Sequence, residues 1–317
     1  MNYKIIGKRF VLCIIVFISS VSIHSQEPDS IVRKKPARLP GWTFYVPGAT
    51  CFYQKKYVAG SIFTTLEVGG ICLGIKYNNS LKNNSSSPYY NYPLWIGMQA
   101  YQTEKLSNFK NDLELIKYHR PNFKYDDISE KDLYLAPFKT KNIFTPITGG
   151  MVLLAGIFLG IEKYYEDHSF SDVKQMYFMD RYIPRNEAFA VFGSVSLANS
   201  WSAGIGEEYL CRNFMMPILD YRFGQKKGLI FSSLIFGSLH FSNLLFAEDP
   251  DYGAALLQVC EATILGYFLG RDVQKRNYDI GPAIAAHMWY DMVLMAGSFL
   301  INPEDNFLGV NVQFRID

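Results

Sequence analysis

Ionisable side chains are rare inside apolar helices because each costs ~2.5–3.5 kcal/mol at the centre of a membrane segment. This sequence concentrates them in three such segments. The first is Gly206-Glu207-Glu208-Tyr209-Leu210-Cys211-Arg212. Neighbouring helical residues point about 100° apart, so the two carboxylates cannot share one role. Glu208 and Arg212 stand at i and i+4, where a carboxylate and a guanidinium meet on one face. Glu207 is left on another face, available as a general base. The same motif also reads as a helix start at a membrane surface with an ordinary Glu/Arg pair. The second segment is Phe236-Gly237-Ser238-Leu239-His240-Phe241-Ser242-Asn243, inside the apolar stretch from Leu229 to Phe246. Phe236 lies one turn before His240 and can fix its imidazole, although a lone histidine here is equally a satisfied core residue. The third is Pro282-Ala283-Ile284-Ala285-Ala286-His287-Met288-Trp289-Tyr290-Asp291. His287 and Asp291 are again one turn apart, so the carboxylate can hold the ring tautomer or both can face one ligand or metal. A polar pair gluing two helices together is the plainer alternative.

The chain has only five histidines, and the two in long apolar helices both belong to these segments. A carboxylate base and two imidazoles on three helices can activate water and stabilise an oxyanion in amide hydrolysis. Glu207, His240 and His287 would also suit zinc, with water in the open position.

The elements that must position these groups are helices of membrane-spanning length. Of the 317 residues, 49% are hydrophobic and 16% aromatic, which is rich for a soluble enzyme. The mean hydropathy of +0.01 hides a segregation, because the polar residues gather in a few long loops. From Phe144 onward, apolar runs predict helices over about 145–162, 187–203, 206–219, 228–246, 253–270 and 281–301. The basic turns Arg222 to Lys227 and Arg271 to Arg276 should share the cytoplasmic side, with two helices between them. The formal charge of +2, from 31 basic and 29 acidic residues, provides no field that would draw nucleic acid. The five cysteines have no C-x-x-C spacing and read as small buried hydrophobes.

The first 25 residues place Lys4, Lys8 and Arg9 ahead of the apolar run Phe10 to Ile18, the layout of a secretory signal. Residues 26–142 then form an N-terminal region. It opens with a charged linker through Leu39 and a Pro47-Gly48 turn, followed by one expected membrane helix from Val58 to about Ile75, interrupted by Glu67. Residues 78–93 are a polar loop. Leu94, Met98, Tyr101, Phe109, Leu113 and Ile116 recur amid charges and suggest an amphipathic helix lying outside the hydrocarbon. Residues 121–142 read as a loop too short to bury a core of its own. Residues 143–303 form the helical domain that bears the three motifs, and 304–317 a tail whose strict alternation over Leu308 to Ile316 predicts a short strand. The fold class expected is all-α, a polytopic transmembrane helix bundle.

The order E-E-x-x-x-R, F-x-x-x-H, H-x-x-x-D resembles the CPBP family of membrane proteases, the CAAX protease and bacteriocin-processing or Abi family. The resemblance runs from about Ala188 to Leu300 and includes Thr263-Ile264-Leu265-Gly266-Tyr267-Phe268-Leu269-Gly270-Arg271. It implies an endopeptidase in a bacterial cell membrane, acting on a membrane-associated protein or peptide. Glu207 with His240 would activate water, His287 with Asp291 would occupy the oxyanion or ligand position, and Glu208 with Arg212 would support them. The family more often has Asn in the last place. Asp291 therefore lacks the neutral amide donor and only accepts unless protonated. Zinc would use the same Glu207, His240 and His287. A non-catalytic scaffold or bacteriocin-immunity-type protein that keeps the motifs for helix packing is the main rival, and a metal-binding or transport bundle a third. Separately, the Pro47-Gly48 turn and Phe52-Tyr53-Gln54-Lys55-Lys56-Tyr57 are similar to a short membrane module of uncharacterised bacterial envelope proteins, which implies no function.

Overall fold

The computed structural model describes residues 35–81, 92–165, 169–178, 181–245 and 251–303. The expected signal segment and alternating tail lie outside them. The principal helices are α1 (Tyr57–Leu81), α2 (Tyr92–His119), α3 (Pro146–Tyr165), α4 (Arg185–Glu208), α5 (Met216–Phe223), α6 (Gln225–Leu239), α7 (Tyr252–Lys275) and α8 (Gly281–Ile301). Four of these, α1, α3, α7 and α8, are long and apolar enough to cross a membrane. The chain is a multi-pass helical membrane protein.

Two of the expected helices are one. The stretch from Arg185 to Phe223 is unbroken, with α4 passing through a π-helical segment, Tyr209–Met215, into α5. Gly204 and Gly206 do not break it because they are there for contact. A Cβ on Gly204 would lie 3.1 Å from both the Ile284 carbonyl and Met288 of α8, and one on Gly206 would meet Gln102 of α2 at 2.9 Å. Helix α6 also ends sooner than expected, giving way at His240 to a 3-10 segment, His240–Leu245. Helix α7 starts where Asp251 caps it, accepting from the amides of Gly253 and Ala254 at 2.8 and 3.0 Å.

Helix α8 is the centre of the bundle, packing on both α3 and α4. Its span is the most enclosed of the four, 39% buried against 17% for α3, and every residue from Gly281 to Met288 is buried. Helices α6 and α7 form a second pair. Gln274 at the end of α7 donates to Asp220 at 2.8 Å and to the Gln225 carbonyl at 3.0 Å. The two basic turns therefore sit side by side at one end of the bundle, as the charge pattern requires.

The N-terminal region is continuous with this core. Leu106, Phe109 and Leu113 of α2 join Met151, Tyr209, Phe214, Phe236, Ile284 and Tyr290 in one cluster. Helix α2 also packs along α1, and turns Glu104 and Lys105 inward along with its apolar residues. Residues 121–142 are more ordered than a loop, with short helices at Glu130–Leu135 and Thr140–Ile143. A short antiparallel hairpin, β1 (Gln175–Phe178) with β2 (Arg181–Pro184), sits beside the helices of this all-α bundle. It covers a satellite cluster of Ile183, Ala188, Phe192 and Phe299. Cys51 and Cys211 are buried, but Cys72 and Cys260 lie on the open faces of α1 and α7, so only part of the cysteine expectation holds.

Candidate active site

The π-helical segment begins immediately after Glu208, at the motif with two carboxylates. Such segments carry an extra residue in the turn and recur at functional sites. Within it, Arg212 Nη1 donates to Glu208 Oε1 at 3.1 Å. Both side chains are sealed, 2% and 0% exposed, and the guanidinium lies 3.9 Å from the centre of the Phe236 ring. A buried pair needs such compensation, because desolvating two charges is expensive.

Helix α8 brings His287 onto the same carboxylate. Its Nδ1 lies 2.8 Å from Glu208 Oε1. An ionised carboxylate can only accept, so Nδ1 carries the proton. The ring is thereby anchored by Glu208, whereas the spacing had offered Asp291 for that task. Asp291 Oδ2 stands instead 3.4 Å from Nε2, and Glu207 Oε2 approaches the same nitrogen at 3.9 Å. These two carboxylates are open, 25% and 29% exposed. His287 thus divides the site, with a closed ion pair behind Nδ1 and two accessible carboxylates before Nε2.

His240 enters from the end of α6. Its Nδ1 is 3.1 Å from the Phe236 carbonyl, which can only accept, so the lone pair lies on Nε2. Phe236 packs edge-on to His240 at 5.0 Å and to His287 at 6.0 Å. One aromatic ring therefore lies beside both imidazoles and the arginine. Helix α6 is seated by Gly237, where a Cβ would fall 1.9 Å from Thr263 Oγ1 and 2.6 Å from the Val259 carbonyl of α7. The next turn is tied to α7 by Asn243, which donates to Gln258 at 3.1 Å.

Glu207, Glu208, Arg212, His287 and Asp291 are in direct contact, and His240 joins them through Phe236. Three further residues support the cluster. Tyr290 donates to Glu261 of α7, fixing α8 next to Asp291. Glu261 is a carboxylate inside an apolar helix, whereas the tyrosine carries no such signal. Trp289 Nε1 donates to the Pro137 carbonyl at 3.0 Å, holding the segment after α2 against α8. Among the described residues no group of three or more His, Cys, Asp or Glu side chains is arranged to hold a metal ion.

Fold and cluster together define a helical membrane protein with a carboxylate and imidazole site between its helices. Residues 190–293 match the family model described as Type II CAAX prenyl endopeptidase Rce1-like. The match contains all three motifs and agrees with the family resemblance read from them. No curated protein and no solved structure matches the chain.

Proposed function

We propose that this chain is an intramembrane endopeptidase that hydrolyses a peptide bond in a membrane-associated protein or peptide with water activated by Glu207. The supporting observation is the contrast across His287, where Glu207 and Asp291 are reachable while Glu208 and Arg212 are sealed. The endopeptidase description of the family matched over residues 190–293 supports it independently. In the proposed reaction, water beside Glu207 gives its proton to the carboxylate as its oxygen attacks the scissile carbonyl carbon. Nε2 of His240 accepts a hydrogen bond from the same water. The carbonyl electron pair moves onto oxygen, and an imidazolium His287 donates to that oxyanion from Nε2 while Nδ1 stays on Glu208. Collapse re-forms the carbonyl and breaks the C–N bond. The departing amine takes the proton from Glu207, which returns the site to its starting state.

The test compares membrane-proteome peptides from cells carrying the wild-type chain and Glu207→Gln. Substrate peptides present only with the wild type, at equal membrane abundance of the two proteins, are the expected result. Identical peptide sets would overturn the proposal. A non-catalytic scaffold or immunity-type protein is the second reading, favoured by the Arg212–Glu208–His287 chain, which ties α4 to α8 without any substrate. In that case Glu207→Gln keeps the wild-type phenotype. For the metal question, exhaustive chelation is expected to leave hydrolysis intact while His287→Ala abolishes it; loss on chelation with recovery on zinc would restore the metal set Glu207, His240 and His287.

A further inference from the structure

The segment before α1 is built inside out. Much of its inward side is polar and bonded to α2. Lys105 donates to the carbonyls of Thr43 and Val46 at 2.9 and 3.0 Å and pairs with Glu104. Glu104 accepts from the Cys51 amide at 3.1 Å, Tyr101 donates to the Phe44 carbonyl at 2.7 Å, and Asn108 links Thr43 and Thr50. Gly48, with φ of +69°, makes the turn possible, since a Cβ there would fall 2.0 Å from Thr64 Oγ1. The outward side carries Trp42, Tyr45, Val46, Phe52, Tyr53 and Tyr57, with Trp42 55% and Tyr45 65% exposed.

In water this order would be reversed, because exposing contiguous aromatic surface while burying a Lys–Glu pair is unfavourable on both counts. Tyrosine and tryptophan, apolar in body and polar at the tip, gather where membrane meets water. The chain passes from Tyr57 directly into α1, a helix of spanning length whose window is only 22% buried. Val58, Ile62, Leu66, Ile71 and Leu73 continue the exposed surface along it. We propose that residues 42–57 form an aromatic shelf seated in the interfacial layer of the bilayer, with lipid headgroups and upper acyl chains as its partner. The shelf is bonded to α2, and α2 meets α4 where Gln102 lies against Gly206 and where Ser202 stands 3.4 Å from both Thr103 and Gln99. The depth of the shelf therefore sets the depth of Glu207.

The test uses the full chain in phosphatidylcholine nanodiscs whose lipids carry bromine either near the headgroup or deep in the acyl chain. The emission of Trp42 is obtained as wild type minus Trp42→Phe. The expected result is loss of most of that component to shallow bromines, less to deep ones and little to aqueous acrylamide. Quenching by acrylamide alone would put the shelf in water, protection from every quencher would indicate a second copy or another protein, and strongest quenching by deep bromines would indicate a spanning position. Each of these overturns the proposal. Tyr45→Trp, which adds a reporter to the same face, must give the same order of quenching.

Discussion

Two of the places where charges are buried between helices are finished differently. At the α1–α2 end, Lys105 donates to two carbonyls and pairs with Glu104, and both side chains are sealed, 1% and 0% exposed. At the α4–α8 end, Glu208 is equally enclosed and pairs with Arg212 and His287 through Oε1, but Glu207 and Asp291 remain partly open beside Nε2. Burial alone therefore does not distinguish structural charge from chemical charge. What distinguishes them is an ionisable group left accessible and held in place by others that are not.

The largest expected effect breaks the comparison at its open side. Glu207→Gln removes the base while keeping the side-chain shape, and hydrolysis of an identified substrate peptide should fall about 10²–10⁴-fold with no change in thermal unfolding. The next targets the closed groups in both regions. Arg212→Met and Lys105→Met each leave a buried carboxylate without its cation, so each should cost about 3–5 kcal/mol in reversible unfolding from lipid–detergent mixtures. The two variants then diverge. Turnover per folded molecule should fall with Arg212→Met, which loosens Glu208 and hence His287, and should hold with Lys105→Met.

The same contrast explains what the sequence could reveal. Three motifs lying in order on apolar helices were enough to single out the six residues that the fold brings together, because an ionisable group in an apolar run has few reasons to be there. The i, i+4 pairing of Glu208 with Arg212 was readable for the same reason, being fixed by helix geometry. The shared use of Glu208 by Arg212 and His287 was not readable, since contacts across helices depend on rotation and depth that one strand of residues does not encode. The division of Arg185–Phe223 into helices over 187–203 and 206–219 missed its continuity. Glycine signals a helix break in isolation, yet here it allows α8 and α2 to approach an unbroken helix. In α2, charges that suggested a wet face at Glu104 and Lys105 point inward because a polar segment 41–56 waits there to meet them.

A smaller effect sharpens the open side. Asp291 can accept from His287 but, when ionised, donates nothing to an oxyanion, whereas asparagine does both. Asp291→Asn should therefore raise hydrolysis, by less than the 10²–10³-fold that a full oxyanion donor supplies. A fall in kcat would make the Asp291 carboxylate itself part of the chemistry.

The smallest effect concerns a further buried carboxylate, outside the spanning helices. Asp220 accepts from Tyr278 and Gln274, both at 2.8 Å, and binds the turns at one end of the bundle. Burial raises its pKa above 3.8, against the opposing pull of those two donors. An acid whose folded pKa is raised binds its proton more tightly in the folded state. Stability should therefore increase as pH falls from neutral through that raised pKa, and level off once the unfolded chain also protonates near 3.8. Asp220→Asn keeps an oxygen for the Tyr278 hydroxyl and cannot ionise. Its unfolding temperature should consequently lose the part of the pH slope that Asp220 contributes in this window, while Glu207→Gln, at the other kind of carboxylate, should alter turnover and leave that slope as it was.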